Sequence, residues 1–196
     1  DHTENILLNS PNVIKIKKSK RGREIKIFGK NYLNPININV PGDPSAASFF
    51  TALTLLSKKS FLKIKNVGLN PTRIGFFEIM KKAGGKIKFK NIKKKNNELF
   101  GDVYVQTSKL KPLKVSKDFY VKSVDEFPIM FVIAALTDGT SLLEADSENL
   151  KNKESDRIVE MQKILKQIGI KSNVKGNKIK IFGSSKNEYL NKKIKV

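Results

Sequence analysis

Apolar positions along this chain fall into three patterns: short stretches alternating with polar residues, stretches apolar nearly all round, and stretches apolar on one face. The alternating kind predicts half-buried strands. Three of these, "EIKIFGKNYL" (24–33), "GDVYVQTSKL" (101–110) and "KIKIFGSSKNEYL" (178–190), each follow a polar turn and are similar to one another. "DPSAASFFTALTLL" (43–56) and "DEFPIMFVIAAL" (125–136) open with an acid and a proline and are then almost continuously apolar, which predicts two buried helices. A strand-like run follows each, "SFLKIKNV" (60–67) and "TSLLEAD" (140–146). Then come two amphipathic helices, "NPTRIGFFEIMKKAGG" (70–85) and "KESDRIVEMQKILKQIG" (153–169), closing on Gly84 and Gly169, where left-handed C-caps are expected.

The order therefore repeats: strand, helix, strand, helix, strand, strand, in a unit of about 80 residues. Two copies and the tail of a third are expected, which makes the fold class α/β (α+β). Because the chain opens at Asp1-His2-Thr3-Glu4 inside a helix-forming segment with no leading strand, it is expected to be a fragment of a longer protein.

Composition narrows the chemistry. With 196 residues and 39% hydrophobic content the chain can bury a core as one domain or two small ones. Its richest apolar window, 127–136, is about half of the roughly 18 residues a membrane span needs, so no membrane partner is expected. No cysteine is present, which excludes disulfides and thiolate metal sites, and the one histidine, His2, gives no basis for a histidine metal site; no metal is expected. A reducing cytoplasm fits this composition. The net charge of +21 argues for a polyanionic partner, yet only Arg21, Arg23, Arg73 and Arg157 are arginines and the lysines are scattered among asparagines and isoleucines. That is drift in composition rather than a nucleic-acid footprint, so no nucleic-acid partner is expected; a field drawing in small anions remains. Lys93-Lys94-Lys95 beside Asn96-Asn97 predicts a solvated hairpin turn.

Candidate chemistry starts with "NKESDR" (152–157). On a helix over 153–168, Ile158, Met161, Leu165 and Ile168 form a buried stripe, and Glu154 and Asp156 lie in the first turn, where the helix dipole favours acids. Lys153 and Arg157 do not fit so easily. Four apart on one face, near the positive helix end, they cost a few tenths of a kcal/mol in mutual repulsion and about 0.3–1 kcal/mol against the dipole. An anion bound there reverses both, and Arg73 takes a similar first-turn place in the preceding unit. Asp43 is explained as an N-cap. Asp125 is harder to dismiss: if helix starts gather at one end of the unit it faces the same cleft as Lys153 and Arg157, and a carboxylate beside fixed cations stays ionised and can accept a proton. His2 is read as a surface residue, and the pairs Phe49-Phe50 and Phe76-Phe77 and the three methionines as core.

In order and spacing, "VPGDPSAASFF" (40–50), "NVGLNPTRIGFFEIMKKAGG" (66–85), "VDEFPIMFVIAAL" followed by "DGT" (124–140) and "LKNKESDR" (150–157) resemble the EPSP synthase family, the 3-phosphoshikimate 1-carboxyvinyltransferases, over nearly the whole chain. "DHTE" and "NPTR" further resemble its branch often less sensitive to glyphosate. The resemblance implies the enolpyruvyl-transferase fold: two inside-out, barrel-like α/β domains, each of three repeated βαβαββ units, with helix N-termini facing the cleft. Residues 1–40 would end the first domain and 41–196 supply about two of the three units of the second. The implied reaction transfers the enolpyruvyl group of phosphoenolpyruvate to the 5-hydroxyl of shikimate 3-phosphate, releasing phosphate, in aromatic amino acid biosynthesis, without metal or organic cofactor. By resemblance Asp125 is the proton acceptor near that hydroxyl and Glu154 the proton donor to the enol carbon. Lys153 and Asn149 contact shikimate 3-phosphate, and Arg157 holds phosphoenolpyruvate. Glu154, which the helix dipole alone would explain, thereby becomes a catalytic candidate. The family's N-terminal phosphate-binding lysine and serine-arginine loop, its serine-rich loop and its late "DHR" motif are not in these residues, so the chain alone is not expected to turn over, and the full-length protein is expected to be a monomer. Two rivals stand beside this reading: a basic nucleic-acid or membrane-surface binder, favoured by charge alone, and a UDP-N-acetylglucosamine enolpyruvyl transferase of the same fold.

Overall fold

The computed structural model describes residues 1–20, 22–145 and 157–186. Asn149, Lys153 and Glu154 lie outside the described residues.

The first segment holds α1 (His2–Leu7) and an antiparallel hairpin of β1 (Ile14–Ser19) and β2 (Gly22–Ile27), paired from Ile14↔Ile27 to Ser19↔Gly22. Residues 31–41 form no regular element, and Tyr32 and Val40 in them are exposed. The chain then builds two like units. In the first, Gly42 bridges Val67 in parallel, and α2 (Pro44–Leu56), β3 (Phe61–Gly68), α3 (Gly75–Lys82), β4 (Lys86–Lys95) and β5 (Glu98–Gln106) follow, with sheet order β3-β5-β4. The second has β6 (Lys114–Val115), α4 (Lys117–Val121), α5 (Phe127–Ala135), β7 (Gly139–Glu144), α6 (Arg157–Gln167), β8 (Lys171–Lys175) and β9 (Lys178–Gly183), in the order β6-β7-β9-β8 with β6 parallel to β7. The Gly42 bridge beside β3 corresponds to β6 beside β7, so both units have the repeated βαβαββ topology expected from the sequence.

Local chemistry explains most boundaries. Asp43 caps α2, accepting hydrogen bonds from the Ser45 and Ala46 N–H groups at 2.9 and 3.2 Å, with Pro44 in the first turn. Gly84 and Gly169 take the positive φ values, 95° and 82°, that a left-handed helix end requires. Lys93, Lys94 and Lys95 belong to strand β4; the turn itself is Asn96-Asn97, both at positive φ as in a type I′ hairpin. Helix α3 starts later than its pattern predicts. Asn70 Oδ1 accepts from the Thr72 N–H at 2.9 Å and Asn70 O from the Arg73 N–H at 2.8 Å, so residues 70–73 form a turn and the helix begins only at Gly75.

The core lies where the helices meet the inner faces of the sheets. Helix α5 is buried through Phe127, Met130, Phe131, Ile133, Ala134 and Ala135; the edge-to-face pair Phe77–Phe89 ties α3 to β4 and Tyr120–Phe127 ties α4 to α5. Met80 and Met130 are fully buried and Met161 packs against the same core. Phe49 and Phe50 depart from expectation. They are 54% and 60% exposed and, with Leu53 at 65%, leave an apolar stripe on α2, because a helix apolar all round does not encode which face the neighbours will cover. Among the described residues no helix is long and apolar enough to cross a membrane.

Candidate active site

The two units meet at the starts of α2, α3 and α5. Gly75, the first residue of α3, donates its N–H to Lys122 O at 3.2 Å just after α4. A Cβ at this position would lie 2.7 Å from Lys122 Cβ and 2.9 Å from its carbonyl oxygen, so only glycine allows the backbones this close. That approach sets the residue 70–73 turn of the first unit against residues 123–126 of the second.

Asp125 is the centre of the resulting cluster. Arg73 Nη1 donates to Asp125 Oδ2 at 3.2 Å, and Arg157 Nη1, from the start of α6 as described, lies 3.6 Å from the other oxygen, Oδ1. The first distance is a charge-assisted hydrogen bond; the second is an ion pair longer than one. All three side chains are 28–38% exposed, so the carboxylate is open to a small molecule while two cations favour its ionised form.

A second branch leaves the same guanidinium. Arg73 Nη2 donates to Ser45 Oγ at 3.0 Å in the first turn of α2, and the Ser45 hydroxyl donates to Glu126 Oε1. Glu126, only 3% exposed, precedes α5 without capping it through its side chain. Burial pushes its carboxyl above the ordinary glutamate value, while the Ser45 hydrogen bond and the Arg73 charge pull it back.

The sequence-predicted residues thus divide. Asp125 and Arg157 are brought together, and Asp43 is an N-cap. Asn149, Lys153 and Glu154 fall outside the described residues. His2 is at the surface, its Nδ1 2.9 Å from Glu98 Oε1. The repeat predicts Arg73 in a first helical turn, as the counterpart of Arg157; it sits instead in the turn before the helix and reaches Asp125 from there. Ser45 and Glu126 gave no spacing signal, since they meet only when one unit packs on the other. Beside the cluster, a cavity of about 320 Å³ lies between the first segment and the first unit, with Arg73, Asp43 and Asn70 in its wall and Ile6, Ile38 and Pro41 among its apolar lining. Among the described residues no group of three or more histidine, cysteine or acidic side chains is placed to hold a metal ion.

Comparison with known proteins places this geometry in context. The family model described as EPSP synthase (3-phosphoshikimate 1-carboxyvinyltransferase) matches residues 1–194. The 3-phosphoshikimate 1-carboxyvinyltransferase of Sulfurihydrogenibium sp. (strain YO3AOP1) is 36% identical over 172 residues, 88% of this chain and 40% of that protein. That of Bacillus subtilis (strain 168) is 33% identical over 183 residues, 93% of this chain and 42% of its own length. A solved EPSP synthase from Acinetobacter baumannii superimposes with a TM-score of 0.83 at 33% identity, covering 95% of this chain and 41% of the other. The enolpyruvyl transferase NikO from Streptomyces tendae, with TM-score 0.58 and 14% identity over 88% of this chain and 37% of its own, shares the fold. The chain spans about 40% of the length of the curated relatives it matches.

Proposed function

This chain belongs to the EPSP synthase family, and from that membership we propose that the complete protein transfers the enolpyruvyl group of phosphoenolpyruvate to the 5-hydroxyl of shikimate 3-phosphate. The observation that carries the reading to particular residues is the Asp125 carboxylate, held by Arg73 at 3.2 Å and faced by Arg157 at 3.6 Å. Such a carboxylate can take the proton of the attacking hydroxyl, and fixed guanidinium groups are suited to two multiply charged anionic substrates. On this reading the 5-oxygen bonds to the enol carbon bearing the phosphate, Asp125 receives the hydroxyl proton, and Glu154 protonates the methylene to a methyl. Loss of a methyl proton then restores the double bond as the carbon–oxygen bond to phosphate breaks. Arg157 holds phosphoenolpyruvate, and Lys153 and Asn149 hold shikimate 3-phosphate. Family membership supports the two substrates as partners. In the same proposal residues 1–40 close one domain, residues 41–196 give two of three units of the other, and the protein works as a monomer in the cytoplasm.

The test uses the full-length protein with both substrates, following phosphate release. Asp125→Asn and Glu154→Gln are each expected to lower kcat by about 100-fold or more, the scale of a positioned acid or base. Near-normal turnover in either variant removes that residue from its role, and an inactive wild-type protein removes the reading.

A further inference from the structure

We propose that Arg73 is a positioning residue for this reaction, one guanidinium from the first unit that orients the Asp125 carboxylate directly and the buried Glu126 through Ser45. The inference rests on the enolpyruvyl-transfer reading for its kinetic consequences and on the geometry alone for the clamp itself.

The directions of the hydrogen bonds are fixed by chemistry. Arginine has donors only, so Ser45 Oγ accepts from Arg73 Nη2 and its single hydroxyl hydrogen is left for Glu126 Oε1. Arg73 therefore grips two adjacent residues, Asp125 on one side and Glu126 on the other, both immediately ahead of α5. This matters because α5 has no side-chain cap of its own. Local hydrogen bonds such as Ser123 N–H to Tyr120 O and Glu126 N–H to Ser123 O shape residues 123–126, and Arg73 adds side-chain contacts across the junction of the units. Arg73 is itself anchored: its N–H donates to Asn70 O at 2.8 Å, and two residues on Gly75 is bonded to Lys122 O.

The clamp divides the work between the two arginines. Arg73 holds Oδ2 by a hydrogen bond, whereas Arg157 lies 3.6 Å from Oδ1, beyond a hydrogen bond of ordinary length. A planar fork suits two acceptors at once, whereas a lysine offers one point of charge.

Full-length protein carrying Arg73→Gln, Arg73→Lys or Ser45→Ala tests this by kcat, by KM for each substrate and by the pH profile of kcat. Arg73→Gln is expected to lower kcat about 10- to 100-fold with KM changed less than about threefold, and to move the acid limb of the profile upward by about one pH unit as the carboxylate loses one of the cations facing it. Arg73→Lys is expected to restore the limb but only part of kcat. Ser45→Ala, cutting only the Glu126 branch, is expected to lower kcat a few-fold and leave the limb in place. Wild-type kcat and profile in Arg73→Gln overturn the proposal. So does a raised KM for phosphoenolpyruvate at unchanged kcat, which would make Arg73 a substrate ligand. Should Arg73→Gln not fold, wild-type kcat in both other variants is the overturning result. If the wild-type protein releases no phosphate, the enolpyruvyl reading fails separately, and carbon-13 titration of the Asp125 carboxyl decides the clamp. An upward shift in Arg73→Gln, or in Arg73→Ala where the glutamine variant does not fold, sustains it, and an unchanged titration overturns it.

Discussion

On strand β5 a single carboxylate pins both neighbouring strands. Asp102 accepts from the Asn66 N–H at 3.1 Å, from Asn91 Nδ2 at 2.9 Å and from Lys63 Nζ at 3.0 Å. Asn66 and Asn91 are at positive φ, and each sits in a register shift, between Ile64 and Val67 on β3 and between Lys90 and Lys93 on β4. These are β-bulges; at the first the unpaired Asn66 N–H finds in Asp102 an acceptor that the ladder does not supply, and at the second Asn91 donates its side-chain amide to the same carboxylate. The bulge on β3 also aims Asn66 O at the Gly42 N–H, 2.7 Å away, which sets the start of α2 and hence Ser45. Hydrogen bonds from Asn91, Lys63 and Asn66 hold the Asp102 carboxyl down at about 2. A depressed value means that its contribution to stability is present above the unfolded value near 4 and is lost as pH falls toward about 2. Asp102→Asn is thus expected to lower the urea midpoint at pH 5 and above, with the gap to wild type closing between pH 4 and 2; a gap that stays constant over that range rejects the pinning role. Glu126 works with the opposite sign: its raised carboxyl favours the folded state in acid, and that share is lost as pH rises through the raised value.

Between elements, the decisive contact is α3 on the end of α4. Gly75→Ala puts a methyl 2.7 Å from Lys122 Cβ and 2.9 Å from backbone on a face that cannot yield like a flexible side chain. The expected cost is about 1–3 kcal/mol. Separating these backbones also draws Arg73 off Asp125, so kcat of the full-length protein should fall several-fold, beyond any loss of folded protein. Gly29→Ala, where a Cβ meets nothing within 4 Å, is the matching control and is expected to change neither quantity. A Gly75→Ala variant with wild-type melting and turnover would show that the approach is not needed. Gly75 illustrates which elements were legible in the sequence. The apolar helices, the glycine C-caps and the alternating strands follow from period and propensity, which are local. The late start of α3 hung on one asparagine side chain bonding two residues ahead, and α4, five residues long, is too short for any period to show. The site divides the same way. Arg157 stands out as a cation misplaced at a helix start, and Asp125 as an acid that faces the same cleft if helix starts gather at one end of the unit. Arg73, Ser45 and Glu126 become a network only through the packing of one unit on another, which no spacing along the chain encodes.

At the scale of the molecule, repetition and charge are the two features visible before any folding is considered, and only one of them shapes the fold. The matching sheet orders, with the Gly42 bridge standing for β6, make the units structural copies. The charge of +21 comes from lysines scattered along the chain and supplies a field favourable to anions. The repeat also accounts for the stripe of Phe49, Phe50 and Leu53. In the second unit the corresponding helix, α5, is buried on nearly every side, packed by α2, α6 and β9. Helix α2 has the same all-round apolar character but is covered on fewer sides here, so an apolar face the sequence built for burial meets solvent. A third unit in the proposed domain gives that face an occupant. In the complete protein Phe50→Ala and Leu53→Ala are then expected to cost about 3 kcal/mol and about 2 kcal/mol or more in urea denaturation, as at core sites. With the stripe solvent-exposed, as its 60% and 65% exposure here would have it, each change would stay within about 0.5 kcal/mol, and values that small in the complete protein would exclude a third unit packed on α2.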